Sequence, residues 1–204
     1  MKEKPPTVFV VDDDEAVRTS LRLLLKSVGL QVETFSSAQE FLDQFDPDRA
    51  GSLVLDIRMP GVSGLELQQQ LNERHSIMPI VFITGHGDVP MAVEAMQAGA
   101  VDFIQKPFRD QDLIDRINRA LEKDKAMRGE LRERDEIRRR MGQLTPRERE
   151  VLELVTQGKA NKVIAGDLNV SQRTVEIHRA RVMEKMGAAS LAHLVRMVIE
   201  AQRE

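Results

Sequence analysis

The chain has 204 residues, a net charge of −3 at pH 7 and no cysteine. This length suits one large domain or two small ones, each able to bury its own core, and the lack of cysteine excludes disulfides. No apolar stretch is long enough to cross a membrane and the amino terminus lacks the apolar core of a secretory signal, so we expect a cytoplasmic protein.

The first 121 residues alternate between short apolar runs and amphipathic segments. The apolar runs predict five buried strands, at residues 8–11, 31–35, 53–55, 80–84 and 101–104. Apolar residues at helical spacing predict five helices, at residues 14–29, 38–45, 65–71, 91–98 and 112–121. A Gly-rich loop is predicted after the fourth strand. This alternation is typical of an α/β fold with a parallel sheet covered on both faces, but it does not give the order of the strands.

The next segment, residues 123–143, is highly charged and contains no proline. It predicts a continued helix that acid–base pairs four residues apart would stabilise. Met127, Leu131, Ile137 and Met141 are spaced too irregularly to predict a heptad seam. A solvated linker helix and a dimerising coiled coil therefore both stay open.

The remaining residues, 144–204, predict an all-α domain of four helices. Thr145, Pro146 and Glu148 have the spacing of a helix start with a capping box. Ser171 predicts a further cap, and the two helices joined by a tight turn around Asn169 predict a helix-turn-helix. We therefore divide the chain into a first domain at 1–122, a linker helix at 123–143 and a second domain at 144–204.

Charge is unequally divided between the two halves of the chain. Residues 1–120 contain 12 Lys and Arg against 19 Asp and Glu, whereas residues 121–204 contain 18 against 14. A basic carboxy-terminal half favours contact with a polyanion such as nucleic acid. Ordinary scatter in surface charge would also account for these numbers, so the asymmetry alone is a weak indication.

Polar side chains stand where the predicted strands end. Asp12 and Asp13 follow the first strand, Asp56 follows the third, Thr84 ends the fourth and Lys106 follows the fifth. Strand ends of a parallel sheet meet at one edge, where ligands bind. Crowded carboxylates repel one another unless a cation lies among them, and Mg²⁺ prefers oxygen ligands. The pattern predicts a divalent cation beside a carboxylate that accepts a phosphoryl group.

Four motifs make this assignment specific: VVDDDE at 10–15, LDIRMPGVSG at 55–64, FITGHGD at 82–88 and DFIQKPF at 102–108. With them, residues 7–122 resemble a bacterial response-regulator receiver domain. The resemblance implies a five-stranded doubly wound sheet with the strand order 2-1-3-4-5. It also implies that a histidine kinase transfers a phosphoryl group to Asp56.

The resemblance further implies how the cation and the phosphoryl group are held. Asp13 and Asp56 would bind Mg²⁺, or alternatively Mn²⁺, together with the backbone carbonyl of Arg58. Asp12 would assist, often through water. Lys106 would pair with the phosphoryl oxygens.

A conformational switch is implied by the same resemblance. Thr84 would move to hydrogen-bond the phosphoryl group, and Phe103 would rotate into the space that Thr84 leaves. The bond from Lys106 to Pro107 is often cis in such domains. The surface formed by the fourth helix and fifth strand would change as a result.

Two longer motifs, LTPREREVLELVTQGKANKVIA at 144–165 and VSQRTVEIHRARVMEKM at 170–186, resemble a LuxR-type DNA-binding domain. The whole chain resembles a two-domain response regulator of the NarL/FixJ type, closest to the FixJ branch. The resemblance implies that Asn161 and Lys162 contact phosphates of double-stranded promoter DNA. It makes six residues candidates for the groove: Arg173, Thr174, Glu176, Ile177, Arg179 and Arg181. Glu176 is an acidic residue at one of these candidate base-contact positions. The DNA sequence that relatives bind can therefore not be assigned to this chain.

Taken together, the two resemblances imply a bacterial transcription factor and not an enzyme. Phosphorylation would promote a homodimer that binds DNA, with RNA polymerase as a further partner. Two alternatives stay open. Asp12 and Asp14 after a first strand also fit the opening motif of haloacid-dehalogenase-like phosphatases, with Asp12 as nucleophile. In the second alternative, the helical domain binds another protein instead of DNA, and phosphorylation controls that binding.

Overall fold

A computed structural model describes residues 5–85 and 89–202 of the chain. The chain forms two compact units that divide between Arg128 and Gly129. Each unit has its own hydrophobic core and is described by itself. None of the described helices is long and apolar enough to cross a membrane.

The first unit contains a parallel sheet. Its strands in the described residues are β1 (Thr7–Val11), β2 (Gln31–Phe35), β3 (Gly51–Asp56), β4 (Ile80–Thr84) and β5 (Asp102–Gln105). They lie in the order β2-β1-β3-β4-β5, which confirms the order that the receiver resemblance implies. The parallel register sets Val11 beside Leu55 and Asp56 beside Ile83, so the carboxyl ends of the strands meet at one edge.

Helices cover both faces of this sheet. They are α1 (Glu15–Ser27), α2 (Ala38–Gln44), α3 (Gly64–Glu73), α4 (Val89–Gln97) and the first part of α5 (Asp110–Gly142). Because side chains alternate along a strand, Phe9 and Leu53 pack with α2, α3 and α4, whereas Val8 and Val54 pack with α1 and α5. The doubly wound α/β fold is confirmed.

Side-chain caps decide where the helices begin. Asp14 is the N-cap of α1 and not its first residue, because its Oδ1 accepts a hydrogen bond from the Ala16 N–H at 2.8 Å. Ser63 and Glu66 form a capping box that begins α3 one residue earlier than predicted. The Gly-rich loop predicted after β4 falls largely on residues 86–88, which lie outside the described residues.

The fifth helix continues into the linker, as the sequence predicts. The helix predicted at 112–121 and the linker helix predicted at 123–143 form one continuous helix, α5. The division between the two units falls inside the predicted linker. Gly129 lies within this helix and does not end it.

A buried carboxylate attaches α5 to the first unit. Asp124 is 1 % exposed and accepts hydrogen bonds from the backbone N–H of Gly51 at 3.0 Å and from Nε of Arg128 at 2.9 Å. Arg128 also donates from Nη2 to the carbonyl of Arg49 at 2.7 Å. The first unit therefore includes α5 as far as Arg128.

The second unit is all-helical. Besides the end of α5, its described helices are α6 (Pro146–Thr156), α7 (Asn161–Asp167), α8 (Gln172–Met186) and α9 (Leu191–Gln202). Ile137 is 3 % exposed and packs into this core, so the end of α5 belongs to the second unit. The predicted caps at Thr145 and Ser171 are confirmed, and Asn169 has a φ of 51° in the turn between α7 and α8.

A buried ion pair joins α6 to α8. Glu148 is 2 % exposed and accepts hydrogen bonds from Nζ of Lys185 at 2.6 Å and from the Thr145 N–H at 2.9 Å. Lys185 first, and then the Thr145 N–H, lower the pKa of Glu148 from 4.5 to about 2. The carboxylate is therefore ionised in the folded protein down to strongly acidic pH.

Lys185→Met is expected to lower the free energy of unfolding at neutral pH by roughly 1–3 kcal/mol, because a buried carboxylate loses its cation. A carboxyl whose pKa is depressed on folding contributes stability that is present above 4.5 and lost as pH falls toward about 2. The difference from wild type should therefore shrink across that window. Chemical unfolding followed by circular dichroism at several pH values measures it.

Lys159→Met is the matched control, because Lys159 and Asp167 pair on the surface with side chains 36 % and 42 % exposed. Its effect should stay under about 1 kcal/mol. A Lys185→Met difference that is the same at neutral and acidic pH would contradict the proposed role of the ion pair.

Candidate functional site

Lys106 joins two carboxylates at the carboxyl edge of the sheet. Its Nζ lies 3.0 Å from Oδ2 of Asp12, which follows β1, and 3.0 Å from Oδ1 of Asp56, which ends β3. Asp12 is 2 % exposed and Asp56 is 9 % exposed. Three side chains from three strands thus converge in a largely buried place, as the positions of these residues at strand ends predict.

The single positive charge of Lys106 does not balance the two negative charges of Asp12 and Asp56. Burial raises the pKa of Asp56 above 3.8, and the neighbouring Asp12 adds to that, although Lys106 and the Arg58 N–H oppose it. Burial tends to lower the pKa of Lys106, but its hydrogen bonds to Asp56 and Asp12 outweigh burial and raise it above 10.5. The ammonium gains two carboxylates, whereas the carboxylates share one ammonium and repel each other.

The other two predicted cation ligands, Asp13 and Arg58, have different surroundings. Asp13 is exposed and makes no hydrogen bond or ion pair with a described residue. Arg58 contacts Asp56 through its N–H, which donates to Oδ2 at 2.8 Å. Across residues 5–85 and 89–202, no three His, Cys, Asp or Glu side chains form a group that could hold a metal ion. The predicted donors are all carboxylate or carbonyl oxygens, which suit Mg²⁺.

The backbone of Asp12 is held by a residue that sequence reasoning missed. Arg18 in α1 donates from Nη1 to the Asp12 carbonyl at 2.7 Å. No sequence signal indicated this contact, because a backbone oxygen has no residue identity. Asp14 contacts the site through its backbone N–H, which donates to Oδ1 of Asp12 at 2.9 Å, whereas its carboxylate caps α1.

The two predicted switch residues lie on the neighbouring strands. Thr84 is 3 % exposed, and its hydroxyl donates to the carbonyl of Ile104 at 3.5 Å. Phe103 is half-buried and packs at the border of the core between the sheet and α2, α3 and α4. The Lys106–Pro107 peptide bond is cis, as the receiver resemblance implies.

The predicted DNA contacts lie on α7 and α8 of the second unit. One side of α8 is buried through Val175, Val182 and Met186. Four of the predicted groove residues are exposed: Arg173, Glu176, Ile177 and Arg181. Lys162 is exposed at the start of α7. These side chains are therefore available to a ligand.

Three predicted DNA contacts are engaged within the unit. Thr174 is half-buried, and its Oγ1 lies 2.8 Å from Oγ of Ser171, the N-cap of α8. Arg179 is also half-buried and donates from Nη1 to Oδ1 of Asn161 at 2.9 Å. The groove candidates therefore fall into an exposed group and a held group, which the sequence did not distinguish.

Comparison with known proteins accounts for both units. The family profile described as the response regulator receiver domain matches residues 8–118. The profile described as bacterial regulatory proteins of the luxR family matches residues 142–198. The chain belongs to the response regulators that join a receiver domain to a LuxR-type DNA-binding domain. It is therefore a transcriptional response regulator of a two-component system.

Individual relatives match over nearly the full chain. The transcriptional regulatory protein FixJ of Rhizobium meliloti strain 1021 is 53 % identical over 194 residues, covering 95 % of each chain. FixJ of Azorhizobium caulinodans is 50 % identical over 201 residues, covering 98 % of this chain and 95 % of the relative. The solved structure of the response regulator StyR has a TM-score of 0.88 and 48 % identity, and covers 97 % of this chain and 100 % of StyR.

These matches do not favour the phosphatase alternative. The relatives are transcriptional regulators, which are not enzymes. A receiver domain joined to a LuxR-type domain implies a histidine kinase and DNA as partners, and receiver domains generally bind Mg²⁺ at their acidic pocket.

Asp56→Asn is expected to raise the free energy of unfolding at neutral pH by roughly 0.5–2 kcal/mol, because a buried negative charge beside Asp12 is removed. A carboxyl whose pKa is raised on folding reduces stability as pH rises through that pKa. The gain should therefore disappear as pH falls to the ordinary 3.8, where the wild-type carboxyl is also protonated. Urea unfolding in the presence of a metal chelator, at neutral and at acidic pH, measures the gain and its disappearance.

Asp48→Asn provides the control, because Asp48 is exposed and its removal should change stability little. A gain for Asp56→Asn that persists unchanged at acidic pH would show that packing, not charge, is responsible.

Proposed function

We propose that Asp56 is the phosphoacceptor of this response regulator and that a histidine kinase supplies the phosphoryl group. The main observation in support is Lys106, whose Nζ lies 3.0 Å from both Asp56 and Asp12 at the edge of the sheet. In the transfer, an Asp56 oxygen forms a bond to phosphorus. The bond from phosphorus to the kinase's histidine nitrogen breaks, and its electron pair stays on the imidazole.

Mg²⁺, or Mn²⁺ in its place, would be held by Asp12, Asp13, Asp56 and the backbone carbonyl of Arg58. Two carboxylates, Asp12 and Asp56, share the single ammonium of Lys106 and leave an excess of negative charge, which suits a divalent cation. When bound, the ion neutralises charge on the phosphoryl oxygens. Lys106 would exchange a carboxylate contact for a phosphoryl oxygen, so its position would report phosphorylation.

Thr84 and Phe103 would carry the change to the surface. Among the described residues, the hydrogen bond that the Thr84 hydroxyl makes is a long one, 3.5 Å to the Ile104 carbonyl, so little stabilisation is lost when it turns to a phosphoryl oxygen. Phe103 is half-buried and would fill the space that Thr84 vacates. The altered surface of α4 and β5 would favour a homodimer.

The second unit would then bind double-stranded promoter DNA. Asn161 and Lys162 at the start of α7 would contact phosphates, and the exposed side of α8 would enter the major groove. A phosphorylated homodimer would place two copies of α8 on two half-sites, with RNA polymerase as a further partner. We propose the cytoplasm as the place of action, since the DNA and the kinase's transmitter act there.

Treatment of the wild-type chain with acetyl phosphate and Mg²⁺ should add one phosphoryl group to Asp56 and convert the protein to a dimer. Asp56→Asn should remain folded but show neither change. Its amide is not a nucleophile for phosphorus, so it accepts no phosphoryl group. Intact-mass spectrometry measures the first change and light scattering measures the second. Asp48→Asn should behave like wild type. Phosphate-dependent dimerisation of Asp56→Asn would contradict the proposal.

DNA binding by the phosphorylated chain should weaken steeply with salt, because cationic side chains release counterions from the phosphates. Lys162→Ala should weaken binding to all duplexes and reduce the salt slope by about one. Lys26→Ala, an exposed change in α1, should leave binding unchanged. Gel retardation with a panel of promoter fragments at several salt concentrations tests this. If no fragment is retarded, the protein-binding alternative is favoured.

A further inference from the structure

The exposed side of α8 has a well-defined composition. Five residues at positions i, i+3, i+4, i+7 and i+8 are exposed and form what we name the reading face: Arg173, Glu176, Ile177, Ala180 and Arg181. This spacing places them on one side of a helix, opposite the buried Val175, Val182 and Met186. The core of the second unit fixes the rotation of α8 and hence the membership of this face.

Arg179 does not belong to the reading face. It is half-buried, and one of its N–H groups is already used in the 2.9 Å hydrogen bond to Oδ1 of Asn161. Asn161 is the first residue of α7, so the guanidinium is held at the start of a different helix. An arginine in this position suits a backbone phosphate, for which its remaining donors suffice. Base discrimination must then come from the reading face.

Glu176 is the unexpected member of that face. Its carboxylate is exposed and makes no hydrogen bond or ion pair with any residue in the described part of the chain. Near DNA a carboxylate is repelled by phosphates, and an ionised carboxylate can only accept hydrogen bonds. It is tolerated in the groove only where a base presents a donor.

Two bases present a donor in the major groove. Cytosine offers its N4 amino group, and adenine offers its N6 amino group with the N7 acceptor beside it. The adenine N7 would repel the second oxygen of a carboxylate, whereas cytosine presents no neighbouring acceptor on its own edge. Cytosine is therefore the better partner for Glu176.

Ile177 supplies a second kind of contact. It is 47 % exposed and lies between the charged Glu176 and Arg181 on the reading face. Ala180 lies three residues further along the same face. Apolar side chains in the major groove contact the thymine methyl group, and burying Ile177 there would remove its apolar surface from water.

We propose that Glu176 determines sequence specificity by accepting a hydrogen bond from cytosine N4, with Ile177 against the methyl group of a thymine in the same half-site. Arg179, held by Asn161, contacts a phosphate and carries no base preference. The proposal rests on the DNA-binding function proposed above, and it names the base chemistry that this function would use.

The test compares Glu176→Gln with Glu184→Gln. Glu184 is exposed on the same helix two turns further on, and its side chain likewise has no partner among the described residues. Both variants lose one negative charge, but only Glu176 lies in the amino-terminal half of α8, which reaches base edges. Each full-length chain is phosphorylated with acetyl phosphate, checked by mass spectrometry, and used to select duplexes from a random library.

The wild-type chain should select one position at which C·G is preferred over the other base pairs by about 5- to 100-fold. Glu176→Gln should shift that preference from C·G toward A·T, because an amide accepts from adenine N6 and donates to adenine N7, while the preferences at other positions stay. Glu184→Gln should retain every preference. Both variants should bind unrelated DNA more tightly than wild type, because each removes a charge that phosphates repel.

One further duplex and two further variants test the remaining parts. Uracil in place of the selected thymine should weaken wild-type binding about threefold or more, because it lacks the methyl group, and should matter little to Ile177→Ala. Arg179→Gln should weaken binding to all duplexes alike and reduce the salt slope by about one.

Unchanged preferences in Glu176→Gln, or the same behaviour in Glu176→Gln and Glu184→Gln, would identify Glu176 as a solvated charge and overturn the inference. A wild-type preference for adenine at the Glu176 position would also overturn it. If the phosphorylated wild-type chain selects no sequence, the DNA-binding function itself fails and the inference falls with it.

Discussion

The first unit depends on one ammonium group shared by two buried carboxylates. Lys106 follows β5, Asp12 follows β1 and Asp56 ends β3, so the two 3.0 Å contacts connect strands that are not neighbours in the sheet. The site can hold this charge only because parallel strands bring their carboxyl ends to one edge. One ammonium does not balance the two carboxylates beside it. A phosphoryl group on Asp56 would add further negative charge there, so neighbouring side chains would have to rearrange.

The second unit depends on a comparable constraint, the fixed rotation of α8. Val175, Val182 and Met186 are buried, and the Lys185–Glu148 ion pair holds the carboxyl half of α8 against α6. With the helix held on that side, the exposed face is determined. It joins cationic side chains with an acidic and an apolar one, which suits recognition of base edges better than general attraction to phosphate.

The two units differ in how much of their site the sequence revealed. The positions of Asp12, Asp56 and Lys106 at strand ends alone predicted that they meet, because the carboxyl ends of all strands in a parallel sheet lie at the same edge. The contacts of Arg18 with the Asp12 carbonyl and of Asp124 with the Gly51 N–H were not predictable. Each contact joins a side chain to a backbone atom. Backbone atoms are the same in nearly all residue types, so the sequence does not indicate which of them a side chain will contact.

The sequence by itself determined the alternation of strands and helices, the caps at Thr145 and Ser171, the continuation of the fifth helix into the linker, and the motifs that identify the family. These features depend on periodicity and on hydrogen bonds between residues three or four apart. Tertiary structure alone decided that Asp124 and Ile137, which both lie on α5, are buried in different units, and that Arg179 is engaged by Asn161 while Glu176 is exposed. Those outcomes depend on contacts between residues far apart in the chain, whose partners only packing can select.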